Sequence, residues 1–436
     1  MNNIRPFQIV LIGIFASLAV FGLIFFSLYK GNSSSVEKGY GESVVIWGFL
    51  DEKAVNTVLS EISDTDKDFR VVTYEQFYPL SFYNELLNAI AEGRSPDIII
   101  LPSDSIVLHR AKLQPISYDT ITKRDYMDAY IDGAEIFLLS NGVYGFPFAV
   151  DPMVMYWNKD LYSTNGLAKP PSTWEQVVYQ STPALTRTNS SYDITQSALA
   201  FGEYGNIAHA KEIVAMLFLQ AGTTIVDEVQ NGYEVSFVSN TERNTLRPAD
   251  AALSFYTQFA LPSGANYSWN RSLPSDRLQF LGGTLATYFG FGSEYKDIQD
   301  ANPNLNFDMA QVPQGGSATI HHGFGAFYAL SIPQAASNKQ GAYKAIRALT
   351  GAAPSAHLAE LLNMAPVSRI EIARGTNDPY RKVLYEAALI ARAWLDPNPE
   401  ASENVFRQLI EDVTSGRARV TQSVADAAGR LKLLFR

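Results

Sequence analysis

The chain has 436 residues, too many for one compact core and enough for two or three structural units. Hydrophobic residues make up 47% and charged residues 18%, a globular balance that excludes extensive disorder. The formal net charge of −10 argues against nucleic acid as a partner, and the absence of cysteine excludes disulfides, thiolate nucleophiles, cysteine-bound metals and lipid attachment through a cysteine.

From Phe7 to Tyr29 no residue is charged. As a helix this run would measure roughly 34 Å, enough to cross a bilayer's hydrocarbon core. No Ala-x-Ala-like cleavage site follows, and Ser27-Leu28-Tyr29-Lys30 is a poor substitute. Residues 7–29 are therefore read as a single-pass anchor rather than a cleaved signal. Arg5 and Lys30 nearly balance the flanking charge, so orientation rests on the large domain that follows, which is expected outside the cell, extracellular or periplasmic. Gly31 to Ser35 reads as a flexible linker.

Ser43 to Trp47 is a short apolar run with a buried-strand signature. Val55, Leu59 and Ile62 then share a helical face, and Phe69 to Thr73 reads as a second strand. Leu80, Tyr83, Leu86, Leu87 and Ile90 mark another amphipathic helix, which Gly93 can end. Pro96 to Leu101 is a third strand, apolar on both faces, as parallel sheets require. This order predicts an open α/β sheet with its ligand crevice at the carboxyl ends of the strands. Pro147 to Asn158 is extended and apolar and reads as a segment crossing between lobes. Helices are expected near 209–220 and 248–259, strands at 284–291, 307–312 and 323–333, and a helix at 342–349. The last eighty or so residues read as helices near 380–394, 401–415 and 420–435. Strands that return after a helical middle predict an α/β protein of two discontinuous, hinged lobes. The expected division is 1–35 anchor and linker, 36–150 with about 303–351 as one lobe, and 151–302 with about 352–436 as the other.

Six short motifs, in order, resemble the family 1 extracellular solute-binding proteins, the group that includes maltose-binding protein. Val44-Val45-Ile46-Trp47 resembles the opening strand, and Glu92 to Ile99 (EGRSPDII) the turn before the third. Val143 to Asp151 (VYGFPFAVD), Met155 to Leu161 (MYWNKDL), Pro170 to Glu175 (PPSTWE) and Phe280 to Ala286 (FLGGTLA) resemble later family segments. The resemblance covers about residues 43 to 436. It implies a type II periplasmic-binding-protein-like fold whose lobes close on a small-molecule ligand, expected to be a carbohydrate, for delivery to a membrane-embedded ABC permease. It implies no catalysis and no cofactor; a monomer is expected.

Sugars offer apolar faces and hydroxyl edges, so a sugar site needs aromatic rings and polar acceptors. Trp269 lies in the polar, loop-like stretch Asn266 to Arg271 and is expected to face ligand. Trp394, at the end of an expected helix, is balanced between ligand and core. Trp47 ends the first strand and is assigned to core, whereas Phe49 and Asp51 lie just beyond it at the crevice. Asp104 follows the third strand, either as a helix cap or as a ligand contact. Asp151 sits between Val150 and Pro152 and needs a partner, either a ligand hydroxyl or a hinge hydrogen bond. Glu203-Tyr204 and Tyr288 with Phe291 combine polar or aromatic groups with glycine; ordinary turns are the competing reading. Phe324 and Phe327 are assigned to core.

Asp64, Asp66, Asp68 and Glu75 match calcium-loop positions, but Phe69 replaces the required glycine. Adjacent His321 and His322 point to opposite faces of a strand, so no metal site is expected. There is no P-loop, GxGxxG or GxSxG. Two other classes compete with a receptor: a glycan-acting extracellular enzyme, which needs two facing carboxylates, and a membrane-bound sensor or adhesin built on the same fold.

Overall fold

A computed structural model describes residues 39–230, 232–238 and 247–435. The expected anchor at residues 7–29 lies outside the described residues. Among the described residues no helix is long and apolar enough to cross a membrane.

The first segment folds as its periodicity predicts. Val44–Gly48 pairs in parallel with Val72–Gln76 and with Ile98–Pro102. Helix Glu52–Thr65 turns Val55, Val58, Leu59 and Ile62 inward. The second strand starts at Val72 rather than at the predicted Phe69. Residues Lys67–Val71 form a 3-10 turn instead, which Asp66 caps by accepting from the Asp68 N–H at 3.1 Å. The turn buries Phe69, so the apolar run that suggested a strand is satisfied by packing.

Eleven of the described strands form one sheet, and the other four form two hairpins. Its first-lobe part runs Val72–Gln76, Val44–Gly48, Ile98–Pro102 and then Gly323–Ser331, the last antiparallel. The predicted crossing segment is the strand Phe146–Asn158. Its first half pairs with Gly323–Ser331, from Leu330 opposite Phe146 to Gly325 opposite Pro152. Its second half pairs with Leu285–Phe291, from Phe291 opposite Met153 to Thr287 opposite Trp157. The strand thus serves both lobes, and partners change at Pro152 and Met153. Phe307–Ala310 also pairs with the second half, and helix Ala352–Leu361 lies against Glu52–Thr65 of the first lobe.

Two expected helices change near the carboxyl end. The helix predicted to reach Trp394 ends at Ile390, because Ala391–Arg392 forms a strand beside Gly323 and Phe324. Trp394 therefore lies in an extended segment. The helix expected from 401 starts earlier, as Pro399–Thr414, with Asn398 accepting from the Ala401 N–H at 3.1 Å.

Asp97, in the motif before the third strand, is buried and structural. Its carboxylate accepts from the backbone N–H of Val45 at 3.1 Å and of Asn338 at 2.9 Å. Asn338 in turn donates its side-chain amide to the carbonyls of Tyr40 and Ser43. Removing the carboxylate orphans two backbone donors. Asp97→Ala should cost about 2–3 kcal/mol of stability, read as a lower urea midpoint with unchanged slope.

Candidate functional site

Between the lobes lies a cleft with a cavity volume of about 220 Å³. Pro102, Ser103 and Asp104, at the carboxyl end of Ile98–Pro102, form its first-lobe wall. Phe324, Ala326 and Tyr328 line it from one strand, since alternate side chains share a face. Lys211 and Glu212 enter from the start of helix Ala210–Gln220, and Phe291 from the end of Leu285–Phe291. Trp394 and Asp396 complete it from the segment after Ala391–Arg392.

The charges are arranged unevenly. Lys211 is buried and paired with buried Asp396 at 3.0 Å, and it donates to the Pro399 carbonyl at 3.3 Å. Asp396 also accepts from Ser402 Oγ at 2.7 Å and the Asn398 N–H at 3.0 Å. These groups are satisfied by one another. Asp104 is exposed to the cleft and, among the described residues, accepts only from its neighbour Ser105 Oγ, at 2.9 Å. Enclosure by the cleft walls pushes its carboxyl above the usual range; Lys211 opposes this, and Asp396 and Glu212 add to it. Asp104 does not cap the following helix. The cleft thus offers aromatic faces and a hydrogen-bond acceptor with spare capacity, a composition suited to hydroxyl donors.

The structure brings Asp104, Phe291 and Trp394 together in this cleft. Phe49 is one ring behind, 6.3 Å from Tyr328 and 5.6 Å from Phe82. Asp51 is taken as a helix cap, accepting from the Ala54 N–H at 2.8 Å. Glu203 is buried against Arg271, with both guanidinium bonds near 3.1–3.2 Å. Tyr204 packs under the Arg407 guanidinium and lines a separate hollow of the second lobe. Trp269, expected to face ligand, is fully buried in the core. Its indole N–H donates to Asn206 Oδ1 at 3.1 Å, so the polar handle that suggested a loop is satisfied inside.

Asp151 and Tyr288 belong to a network behind Phe291. Asp151 accepts from the Ser293 N–H at 3.0 Å and Oγ at 2.5 Å. Tyr288 donates to Glu294 Oε2 at 2.7 Å, while Glu294 Oε1 accepts from the Phe291 N–H at 2.8 Å. His209 meets Glu294 at 2.8 Å and sets its ring edgewise to Phe291 at 5.0 Å. Asp151 thus has its partner in Ser293, in the turn after Leu285–Phe291. Sequence reasoning missed Lys211, Glu212, Asp396 and Tyr328, and assigned Phe324 to core. The i, i+2, i+4 spacing of Phe324, Ala326 and Tyr328 was the available signal.

A family model described as bacterial extracellular solute-binding protein matches residues 64–370. A curated relative, the galactooligosaccharide-binding protein of Bacillus subtilis (strain 168), is 22% identical over 241 residues, covering 54% of this chain and 52% of the relative. The chain thus spans about half the length of the curated relative it matches. Among solved structures, a cyclo/maltodextrin-binding protein complexed with maltotetraose superposes with a TM-score of 0.72 at 16% identity, over 91% of this chain and 98% of that one. The cyclic α-maltosyl-1,6-maltose binding protein from Arthrobacter globiformis gives 0.73 at 15%, over 90% and 98%. An ABC transporter solute-binding protein from Thermotoga lettingae bound with α-D-tagatose gives 0.66 at 17%, over 91% and 100%. At these identities the likenesses establish the two-lobed fold.

Two outcomes follow from these placements. Trp269→Phe should lower stability by about 1–3 kcal/mol through the lost packing and the orphaned Asn206, seen in urea unfolding, while leaving ligand affinity unchanged. Burial pushes the Asp151 carboxyl from its ordinary 3.8 to about 7, against the pull of its Ser293 bonds. A folded-state pKa above the unfolded one means the native state holds the extra proton, so this group's contribution to stability falls as pH rises through that window. Asp151→Asn should flatten the fall, measured as the difference in urea midpoint between wild type and variant at low and neutral pH.

Proposed function

The chain belongs to the bacterial extracellular solute-binding proteins, and from that premise we propose that its cleft captures a sugar or oligosaccharide for an ABC importer. The observation that supports this most directly is the lining: Trp394, Tyr328, Phe324 and Phe291 around the open acceptor Asp104. Rings of this kind stack on the apolar faces of a pyranose, and a carboxylate accepts from its hydroxyls. The carbohydrate ligands named for the similar proteins point the same way. Closure of the lobes about the crossing strands would remove water from these contacts and strengthen them.

The boundaries of the lobes are part of the proposal. What supports the division is that Phe307–Ala310 pairs with the second half of the crossing strand and Ala352–Leu361 packs on Glu52–Thr65. We propose that the divisions expected at 303 and 351 each lie one element later. The apolar run at residues 7–29 is proposed to tether the receptor, as a monomer, with the binding domain outside the cell. The reading is of a receptor, not an enzyme, and release of cleavage products from oligosaccharides would overturn it.

The test is isothermal titration of the protein from about Ser35 with maltotetraose, galactooligosaccharide and tagatose, beside a peptide and a polyamine. Binding of a carbohydrate but not the last two is expected. Asp104→Asn and Trp394→Ala should each weaken that binding by about tenfold or more, because each removes a contact of roughly 1.5–3 kcal/mol. Carbohydrate affinity unmoved by both substitutions would place the ligand elsewhere.

A further inference from the structure

The charges that line the cleft do not balance. Asp104, Glu212 and Asp396 supply three carboxylates, and Lys211 supplies one ammonium. Among the described residues, no arginine or histidine lines it. Lys211 is also committed elsewhere. It pairs with Asp396 at 3.0 Å, donates to the Pro399 carbonyl at 3.3 Å, and approaches a further carboxylate, Glu403, at 4.0 Å. An ammonium has three donors, and these three oxygens compete for them. Asp104 and Glu212 are left without an ion-pair partner among the described residues.

Where the surplus charge sits matters more than its size. A carboxylate on an open surface is solvated cheaply, whereas Asp104 shares its cavity with Phe291, Phe324, Tyr328 and Trp394. Its carboxyl records that setting. Enclosure raises it most; Lys211 opposes the push, Asp396 adds to it, the Ser105 bond opposes it, and Glu212 adds again. A nearby positive charge is what the site lacks.

Three kinds of partner could meet that charge. A neutral sugar satisfies carboxylate lone pairs through its hydroxyls but leaves the charge itself uncompensated as water is excluded. A metal ion would compensate it, but among the described residues no group of three or more histidines and carboxylates is placed to hold one. A cationic ligand group does both. The aromatic wall favours the same choice, because the negative face of a ring attracts an ammonium, most strongly at tryptophan. Phe291 and Phe324 lie 6.3 Å apart and are inclined at 59°, so they form a corner rather than a single flat wall. Rings beside unpaired carboxylates are the combination that recognises ammonium groups.

We propose that the ligand of this cleft is an amino sugar, whose ammonium is held by Asp104 and Glu212 while its ring stacks on the aromatic wall. This inference rests on reading the cleft as a carbohydrate site: that premise supplies the ring, and the charge balance supplies the amine. Asp104 and Glu212 then determine specificity. The acetamido and hydroxyl counterparts of an amino sugar carry the same ring without the charge, and the cleft discriminates against both.

The test is calorimetric titration of the full chain with a series matched except at one substituent: glucosamine, N-acetylglucosamine and glucose, and the β-1,4-linked trimer of each. The free amines should bind at least about tenfold more tightly than the acetylated and hydroxyl counterparts. Asp104→Asn with Glu212→Gln should abolish that preference. The melting temperature of the unliganded double variant should stay near that of wild type, because neither carboxylate holds an ion pair that folding depends on. Equal or tighter binding of the uncharged sugars overturns the amine and leaves the carbohydrate reading standing, as does binding of maltotetraose or galactooligosaccharide in preference to the free amines. A preference for free amines that survives the double variant also overturns the assignment, since the charge would then be read elsewhere. Binding of spermidine with no response to any sugar would uphold a cation-selective cleft and defeat the carbohydrate reading. No response to any of these probes would overturn both.

Discussion

One strand serving two sheets is the constraint on which the molecule depends. Phe146–Asn158 is buried along nearly its whole length, with only Trp157 partly open. A strand that apolar must be covered on both faces, and here each half is covered by a different lobe. The change of partners falls where Pro152 supplies no backbone N–H. The ladder therefore has one donor fewer at the point where the two lobes join. A hinge there would ask for small dihedral changes at a position with no backbone N–H bond to lose.

The polar groups around that point keep the motion from becoming slack. Tyr156 Oη donates to the Phe291 carbonyl at 2.6 Å, and Tyr380 Oη donates to the Gly292 carbonyl at 2.7 Å. With Asp151 on Ser293 and Glu294 on the Phe291 N–H, four side chains fix the turn that carries Phe291 into the cleft. In the His209–Glu294 pair, burial opposes both charges, yet their mutual hydrogen bond prevails: His209 is pushed up and Glu294 held down. A buried ion pair adds little net stability, but it allows few alternative arrangements of the turn. The same logic applies to Lys211 and Asp396. Their pairing uses the Lys211 ammonium and, among the described residues lining the cleft, leaves Asp104 and Glu212 as carboxylates without an ion-pair partner.

Much of this was legible in the sequence, and the failures share a cause. The apolar runs at Val44–Gly48, Ile98–Pro102 and Phe146–Asn158 were read as strands because burial on both faces leaves a pattern that needs no partner to recognise. Asp104 was expected at the crevice because strand ends in an open α/β sheet face it, and Phe291 because aromatics there alternate with glycine; both line the cleft. Trp269 was misplaced because its neighbours are polar. Ser268 in fact bonds inward, accepting from the Ala198 N–H at 3.0 Å and donating to the Leu199 carbonyl at 3.1 Å. A polar residue with buried partners is indistinguishable from a loop residue in one dimension. Trp394 was given a helix because its local periodicity is helical, and a tertiary strand pairing at Ala391–Arg392 overrode it. Lys211 and Asp396 were invisible for the same reason: what matters about each is the other, and they are far apart in the chain.

The polarity of the cleft bears on how the proposed capture would work. The walls are aromatic and, among the described residues, Asp104 accepts only from Ser105, so closing an empty cleft would bury a carboxylate at a cost. On the proposed reading, a ligand that supplies hydroxyl donors to Asp104 offsets that cost, whereas one that stacked on the rings and left the carboxylate unsatisfied would bind the open form and fail to close it.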